Sequence, residues 1–169
     1  MDAPVRLVRD DDAQGLFGLI ALCFAEYPGC YVDPHDDLRD LLAPARAYAG
    51  RGGFFWATED EAGRVAGCVA VDFPRPGAAE LHRLYVRPDR RGRGLGAGLV
   101  RLAESVARGS GAQRLVFWSD TRFTRAHGLY ERLGFTASGE KRELGDISRS
   151  QEYFFEKRLE TQQASGESP

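Results

Sequence analysis

Leu84-Tyr85-Val86-Arg87-Pro88-Asp89-Arg90-Arg91-Gly92-Arg93-Gly94-Leu95-Gly96-Ala97-Gly98 is the stretch on which the architecture turns. An apolar strand ends at Val86. A loop carrying four arginines within seven residues follows, and glycines then open a segment whose Leu95, Leu99, Leu102 and Val106 share one helical face. The first amides of a helix have no partner within it and sit at the positive end of its dipole. Glycine removes the Cβ atoms that would hold a ligand away. A strand–loop–helix junction of this makeup is a cradle for a phosphate group, with the loop arginines expected to neutralise its charge.

Outward from that junction, hydrophobic period sets the elements. Val5 to Val8 is a short strand. Asp10-Asp11-Asp12 supplies N-cap and first-turn carboxylates to a helix striped by Leu16, Leu19, Ile20, Cys23 and Phe24 and stopped by Pro28-Gly29. Asp36 to Leu42 predicts a second short helix, closed by Pro44. Phe54 to Glu59 and Val65 to Phe73 are strands joined at Asp60 to Gly63, and Ala79 to Val86 is the fourth strand after the turn Pro74 to Gly77. Past the central helix come a strand at Arg114 to Trp118, a helix at Arg122 to Leu133 closed by Gly134, and strands near Ala137 to Leu144 and Gln151 to Leu159. The order β-α-α-β-β-β-α-β-α-β-β predicts an α/β fold with a mixed, mostly antiparallel sheet flanked by helices. One domain is expected over 1–160, with 161–169 a loose polar tail.

The 169 residues are 43% apolar, enough for a core, and carry a formal net charge of only -2. That balance argues against a nucleic-acid binder. No apolar run reaches the ~18–20 residues of a membrane span, and the start of the chain lacks a secretory layout. Cys23, Cys30 and Cys68 are odd in number and far apart, giving neither a disulfide framework nor a metal site, so a cytoplasmic setting is expected.

Two ligand classes fit the glycine-rich turn. Gly92-x-Gly94-x-x-Ala97 with Asp120 beyond it matches a dinucleotide fingerprint in form, but Pro88 and three arginines separate the strand from the first glycine, and a train of later βα units is missing. The alternative is a resemblance. Val86-x-Pro88-x-x-Arg91-Gly92-Arg93-Gly94-Leu95-Gly96 resembles the acetyl-CoA loop of the GNAT superfamily of N-acetyltransferases, and Ala126-x-x-Leu129-Tyr130-Glu131-x-Leu133-Gly134-Phe135 resembles the helix and turn after that family's fifth strand. The resemblance spans roughly Val5 to Leu159. Many relatives have Asn three residues before the helix alanine, where this chain has Phe123.

The resemblance implies a GNAT fold and an acetyl-CoA cosubstrate; no metal is expected, because His35 and His127 lack partners at ligand spacing. It implies that amides of Arg91, Gly92, Arg93, Gly94, Leu95 and Gly96 hold the pyrophosphate. It further implies that main chain at Leu84, Tyr85 and Val86 pairs with the pantetheine arm where the fourth and fifth strands splay. Pattern alone makes Tyr130 a core residue on the stripe Ala126, Leu129, Tyr130 and Leu133. Relatives place a tyrosine here beside the thioester sulfur, which implies a general acid. Glu80 and His82 share a sheet face, and relatives place a base at one or the other of these positions. An acyl-CoA-binding module without turnover is the competing class, and retention of Glu80 and Tyr130 speaks against it.

Acetylation of an alkyl amine of pKa ~10.4 requires its neutral form, which lies roughly 4.6 kcal/mol away at pH 7, so a base or a desolvating site is needed. Eight acids (Asp10, Asp11, Asp12, Glu26, Asp33, Asp36, Asp37 and Asp40) against Arg39 alone mark the segment that walls the acceptor pocket in relatives. The expectation is that this wall attracts a small cationic amine, with Glu26, Tyr27, Tyr31, Asp33 and Asp120 as pocket residues. A protein acceptor, a nucleic acid and a membrane are disfavoured. Monomer and homodimer are both left open.

Overall fold

The computed structural model describes residues 4–36 and 38–160, so the expected tail and Asp37 lie outside the described residues. β1 (Val5–Leu7) leads through a 3₁₀ turn at Asp10–Asp12 into α1 (Ala13–Phe24). A second 3₁₀ turn at Arg39–Leu42 precedes α2 (Pro44–Ala49). The expected helix over 36–42 is therefore corrected. Proline does not close a helix here but opens one, at the first helical position where its missing N–H costs nothing. β2 (Phe54–Glu59), β3 (Val65–Arg75) and β4 (Ala78–Val86) follow as antiparallel neighbours. Then come α3 (Leu95–Gly109), β5 (Arg114–Asp120), α4 (Thr124–Arg132), β6 (Thr136–Glu143) and β7 (Gln151–Arg158).

The strands form one seven-stranded sheet in the order β1-β2-β3-β4-β5-β7-β6. Among the described residues only β4 and β5 pair in parallel, and their α3 crossover is the single βαβ unit there. A doubly wound dinucleotide fold is thereby excluded. One sheet face buries Leu16, Ile20, Leu38, Leu41, Tyr48 and Phe55 under α1 and α2. The other buries Leu99, Val100, Ala103, Phe117, Phe135 and Phe155 under α3 and α4. The stripe read from α1 is the stripe that is buried. β6 at the sheet edge is exposed at every residue.

Two irregularities prepare the site. The β4–β5 ladder holds only Ala78, Ala79 and Glu80 against Arg114, Leu115 and Val116, after which the strands separate. Within β4, Cys68 pairs with Tyr85 but Ala70 pairs with His82, so β4 carries one extra residue. Arg83 absorbs it with φ of 53°. A bulge of one residue exchanges the faces of everything beyond it. Ala79 and Leu81 pack toward α3, then Leu84 and Val86 do, while Tyr85 joins the α1 side.

The β2–β3 turn also reaches the loop after β4. The Asp60 carboxylate, with its side chain fully screened, accepts from Arg87 Nη2 at 2.6 Å and pairs with Arg64 at 2.8 Å and Arg90 at 3.5 Å. Hydrogen bonds from Arg87 and from the Arg64 backbone hold its carboxyl well below the ordinary carboxylate range. The folded chain therefore binds this proton less readily than the unfolded chain. The contribution is full above the unfolded pKa of about 4 and is lost as pH falls through the depressed value. Asp60→Asn, which leaves Arg87 without its buried partner, is expected to lower Tm more than Asp89→Asn, whose side chain is 58% exposed. Thermal melts should also show the two variants' difference shrinking toward acid pH.

Candidate active site

Where β4 and β5 part, a cavity of about 800 Å³ opens through the sheet. Its α3 side is built from the glycine-rich turn. Gly94 caps α3 in the left-handed region at φ of 80°, and a Cβ there would meet nothing within 4 Å. Gly96 serves packing instead, since a Cβ on it would come within 3.3 Å of Leu129. The N–H groups from Gly92 to Ala97 meet no protein acceptor among the described residues, and no side chain caps the helix. They form a concave run of free donors at a helix start, which is an anion site by its geometry.

The arginines around that run do a different job from the expected one. Arg87 is held by Asp60 and Asp89, and Arg90 by Glu61 at 2.7 Å. Arg91 donates from Nε to the Val86 carbonyl at 2.9 Å, pairs with Glu26 at 2.7 Å, and reaches the Cys23 sulfur at 3.5 Å. These three side chains tie the loop to the turn between β2 and β3 and to α1. Arg93 alone of the four is exposed and without an ion pair among the described residues, and it does not line the cavity.

Along β4, Arg87 N–H donates to Ala66 of β3. Strand alternation then turns the main-chain groups of Leu84 and the N–H of Val86 the other way, toward the gap left by β5, while the Val86 carbonyl accepts from Arg91 Nε and Cys23 Sγ. Leu84 and Val86 both line the cavity, as does Tyr85. Tyr130 lines it from α4 and is 5% exposed, packed on Phe117 at 4.4 Å between ring centroids. Burial pushes its phenol up to about 12, with a hydrogen bond to Ser119 acting against that rise. The phenol thus keeps its proton throughout the neutral range. Ser119 Oγ lies 3.2 Å from His127 Nε2, and burial lowers the His127 pKa, leaving that ring a neutral packing and hydrogen-bonding partner.

On the α1 side, Glu80 and His82 both face the cavity. His82 Nε2 stands 3.0 Å from the buried Asp72, and the donor atoms of Asp72, Glu80 and His82 lie within 4.8 Å of one another. With Nε2 on Asp72, the other ring nitrogen of His82 is the one available for chemistry. Asp72 had no signal in the sequence beyond its register with Glu80, which only strand pairing reveals.

Five of the eight acids expected to form an attractive wall are paired with arginines. Asp10 pairs with Arg46, Asp11 with Arg9, Asp12 with Arg6, and Asp40 with Arg83. Glu26 is engaged by Arg91 and Arg125. Asp33 accepts the His35 N–H. Of the five expected pocket residues, Tyr27 and Asp120 line the cavity; Glu26, Tyr31 and Asp33 do not. Tyr31 is joined through its backbone to Ser148. The sequence reading also missed the far wall of Trp118, Arg142, Glu152 and Ser150. Glu152 stands beside Asp120 only because β7 inserts between β5 and β6.

The model of the Acetyltransferase (GNAT) family matches residues 18–135. The L-methionine sulfoximine/L-methionine sulfone acetyltransferase of Pseudomonas aeruginosa is 29% identical over 150 residues, spanning 86% of this chain and 87% of that protein. An uncharacterized N-acetyltransferase of Schizosaccharomyces pombe is 37% identical over 97 residues, 57% of this chain and 60% of its own length. A GNAT-family acetyltransferase from Staphylococcus aureus superposes with a TM-score of 0.79 at 16% identity, covering 93% of this chain and 99% of its own. A chain from Salmonella typhimurium, solved with its cofactor acetyl-CoA, gives 0.72 at 19% identity over 99% and 100%.

Gly94→Ala places a Cβ in open space but in a left-handed backbone. It is expected to cost about 1–2 kcal/mol of stability from strain alone, read by denaturant unfolding.

Proposed function

The chain belongs to the Acetyltransferase (GNAT) family, and on that premise we propose that it moves an acetyl group from acetyl-CoA to the primary amine of a small molecule, by direct attack in a ternary complex. One observation carries the reading. The strand edge left open where β4 leaves β5 runs straight to the uncapped start of α3. A ligand combining an extended amide-bearing arm with a pyrophosphate fits both halves. Free N–H groups of Gly92 to Gly96 hold the diphosphate, and the main chain of Leu84 to Val86 pairs with the arm. The relatives' acetyltransferase activities favour the same donor.

The donor brings an acetyl thioester, and the protein supplies proton management and position. Glu80, or His82 oriented by Asp72, takes a proton from the incoming ammonium, directly or through water. The amine nitrogen then forms its bond to the acetyl carbon while the C–S bond breaks. Main-chain N–H near Val86 faces the carbonyl oxygen as charge builds on it. Tyr130, holding its proton with a pKa pushed up to about 12, gives that proton to the departing sulfur, of pKa ~8.5, and the phenol is restored by the second proton, which the amine nitrogen sheds as the amide forms. No protein nucleophile is required. Cys68 is fully buried and burial raises its thiol far from reactivity.

Calorimetry is expected to detect acetyl-CoA binding to the wild type. Tyr130→Phe should leave that affinity intact and lower kcat by about 10²–10³. Glu80→Gln and His82→Gln should differ in pH–rate profile, the base being the residue whose replacement removes the acidic limb. Absence of any acetyl-CoA binding overturns the whole reading, and an unchanged kcat in Tyr130→Phe overturns the acid role.

A further inference from the structure

The α1 side of the cavity is walled by rings. Phe24 ends α1, Tyr27 lies one turn on, Tyr85 comes from β4, and Phe123 caps α4; all four line the cavity. They touch in series, with ring centroids 6.0 Å apart for Phe24–Tyr85, 5.8 Å for Phe24–Phe123 and 5.0 Å for Tyr27–Phe123. Across the space stands Trp118, with the Arg142 guanidinium over its ring at 4.3 Å. Phe123 stands where the family resemblance implies an Asn in many relatives.

The charges beside these rings are engaged by one another. Arg83 binds Asp40, Arg142 binds Glu152, and Asp120 binds Arg122. Arg91 and Arg125 share Glu26. Among the described residues on this side, Glu80 is the charged group facing the cavity with no ion pair or hydrogen bond. The Tyr85 hydroxyl also lacks a hydrogen-bond partner among the described residues, although it is an obligatory polar group in a largely buried position. Burial raises its pKa, so it is present as a neutral donor.

On the acetyltransferase reading, we infer that this subsite takes a primary amine carried on a flat aromatic or apolar body that bears no carboxylate. The body packs between the Phe24–Phe123 wall and Trp118, and Glu80 receives the ammonium. The Tyr85 hydroxyl gives a bound acceptor a polar anchor. An α-amino acid, such as the acceptors named for the Pseudomonas relative, would bring a carboxylate against rings and Glu80 with no unengaged cation among the described residues of the α1 side to meet it, since Arg132, the cavity-lining arginine without an ion pair, comes from the last turn of α4. Removing a carboxylate from water without a partner is strongly unfavourable.

The test is a free-thiol assay with acetyl-CoA and 2-phenylethylamine, ethylamine, L-phenylalanine and L-methionine sulfone, beside calorimetry of acetyl-CoA alone. The expected result is a kcat/KM for 2-phenylethylamine at least tenfold above L-phenylalanine and about a hundredfold above ethylamine. Phe123→Ala, and Phe123→Leu as a variant that keeps apolar volume, should lower the phenylethylamine-to-ethylamine ratio, by at least tenfold for the alanine, mainly through KM. Equal or better turnover of either amino acid overturns the inference while leaving the acetyltransferase reading standing. So does acetyl-CoA binding with no turnover of 2-phenylethylamine. Loss of acetyl-CoA binding itself in the wild type strikes the underlying reading instead.

Discussion

Arg83 is held in a backbone conformation that a side chain with a Cβ disfavours, and Asp40 is what holds it there. Its Nη2 donates to Asp40 Oδ1 at 2.8 Å and its Nε to Oδ2 at 3.1 Å, while the Tyr48 hydroxyl donates to the same carboxylate at 2.9 Å. These bonds keep the Asp40 carboxyl below its ordinary pKa despite its burial. A bidentate pair of this kind adds geometric specificity more surely than it adds net stability. Its effect is the extra residue in β4. That residue turns Leu84 and Val86 toward α3 while Glu80 and His82 stay on the α1 face, so two ligands can approach one opening from opposite sides of the sheet. A regular strand would have sent all four side chains to one face.

The anion side shows main chain and side chains dividing the work. The donors left open at the start of α3 are backbone N–H groups, rigid and permanently polar. The surrounding guanidinium groups fix their position by binding carboxylates from a distant hairpin turn and from Glu26 just past the end of α1. On the proposed acetyltransferase reading, attraction for the cosubstrate's phosphates would come from the helix start, aided by the exposed Arg93, since Arg87, Arg90 and Arg91 are committed to carboxylates. A loop anchored in this way enters binding already shaped, which reduces the ordering cost of association.

Elements whose causes are local were legible in the sequence. The α1 stripe, the hairpin at Asp60 to Gly63, the glycine-rich helix start and the pairing of Glu80 with His82 on one face all follow from periods and turn chemistry within a few residues. Features caused at long range were not. The bulge at Arg83 depends on a carboxylate 43 positions away. Pro44 reads as the stop of a helix, yet it starts one, because the Arg39–Leu42 segment before it forms a 3₁₀ turn. Asp10, Asp11, Asp12, Glu26 and Asp40 look like an attractive surface because their arginine partners are scattered from Arg6 to Arg125. The far wall of the cavity exists because β7 lies between β5 and β6, a choice of strand order that no local pattern encodes.

The outer edge of the sheet carries a consequence for how this molecule tolerates its own company. β6 presents Glu140, Lys141, Arg142 and Glu143 in succession, and its ladder with β7 breaks between Ala137 and Lys141 around a left-handed Gly139. A second copy offering its own rim would meet mixed charge and an interrupted row of donors and acceptors, with no continuous template to extend. Fibre-like stacking through this border is disfavoured by construction, so crowding at high concentration should leave the chain dispersed there.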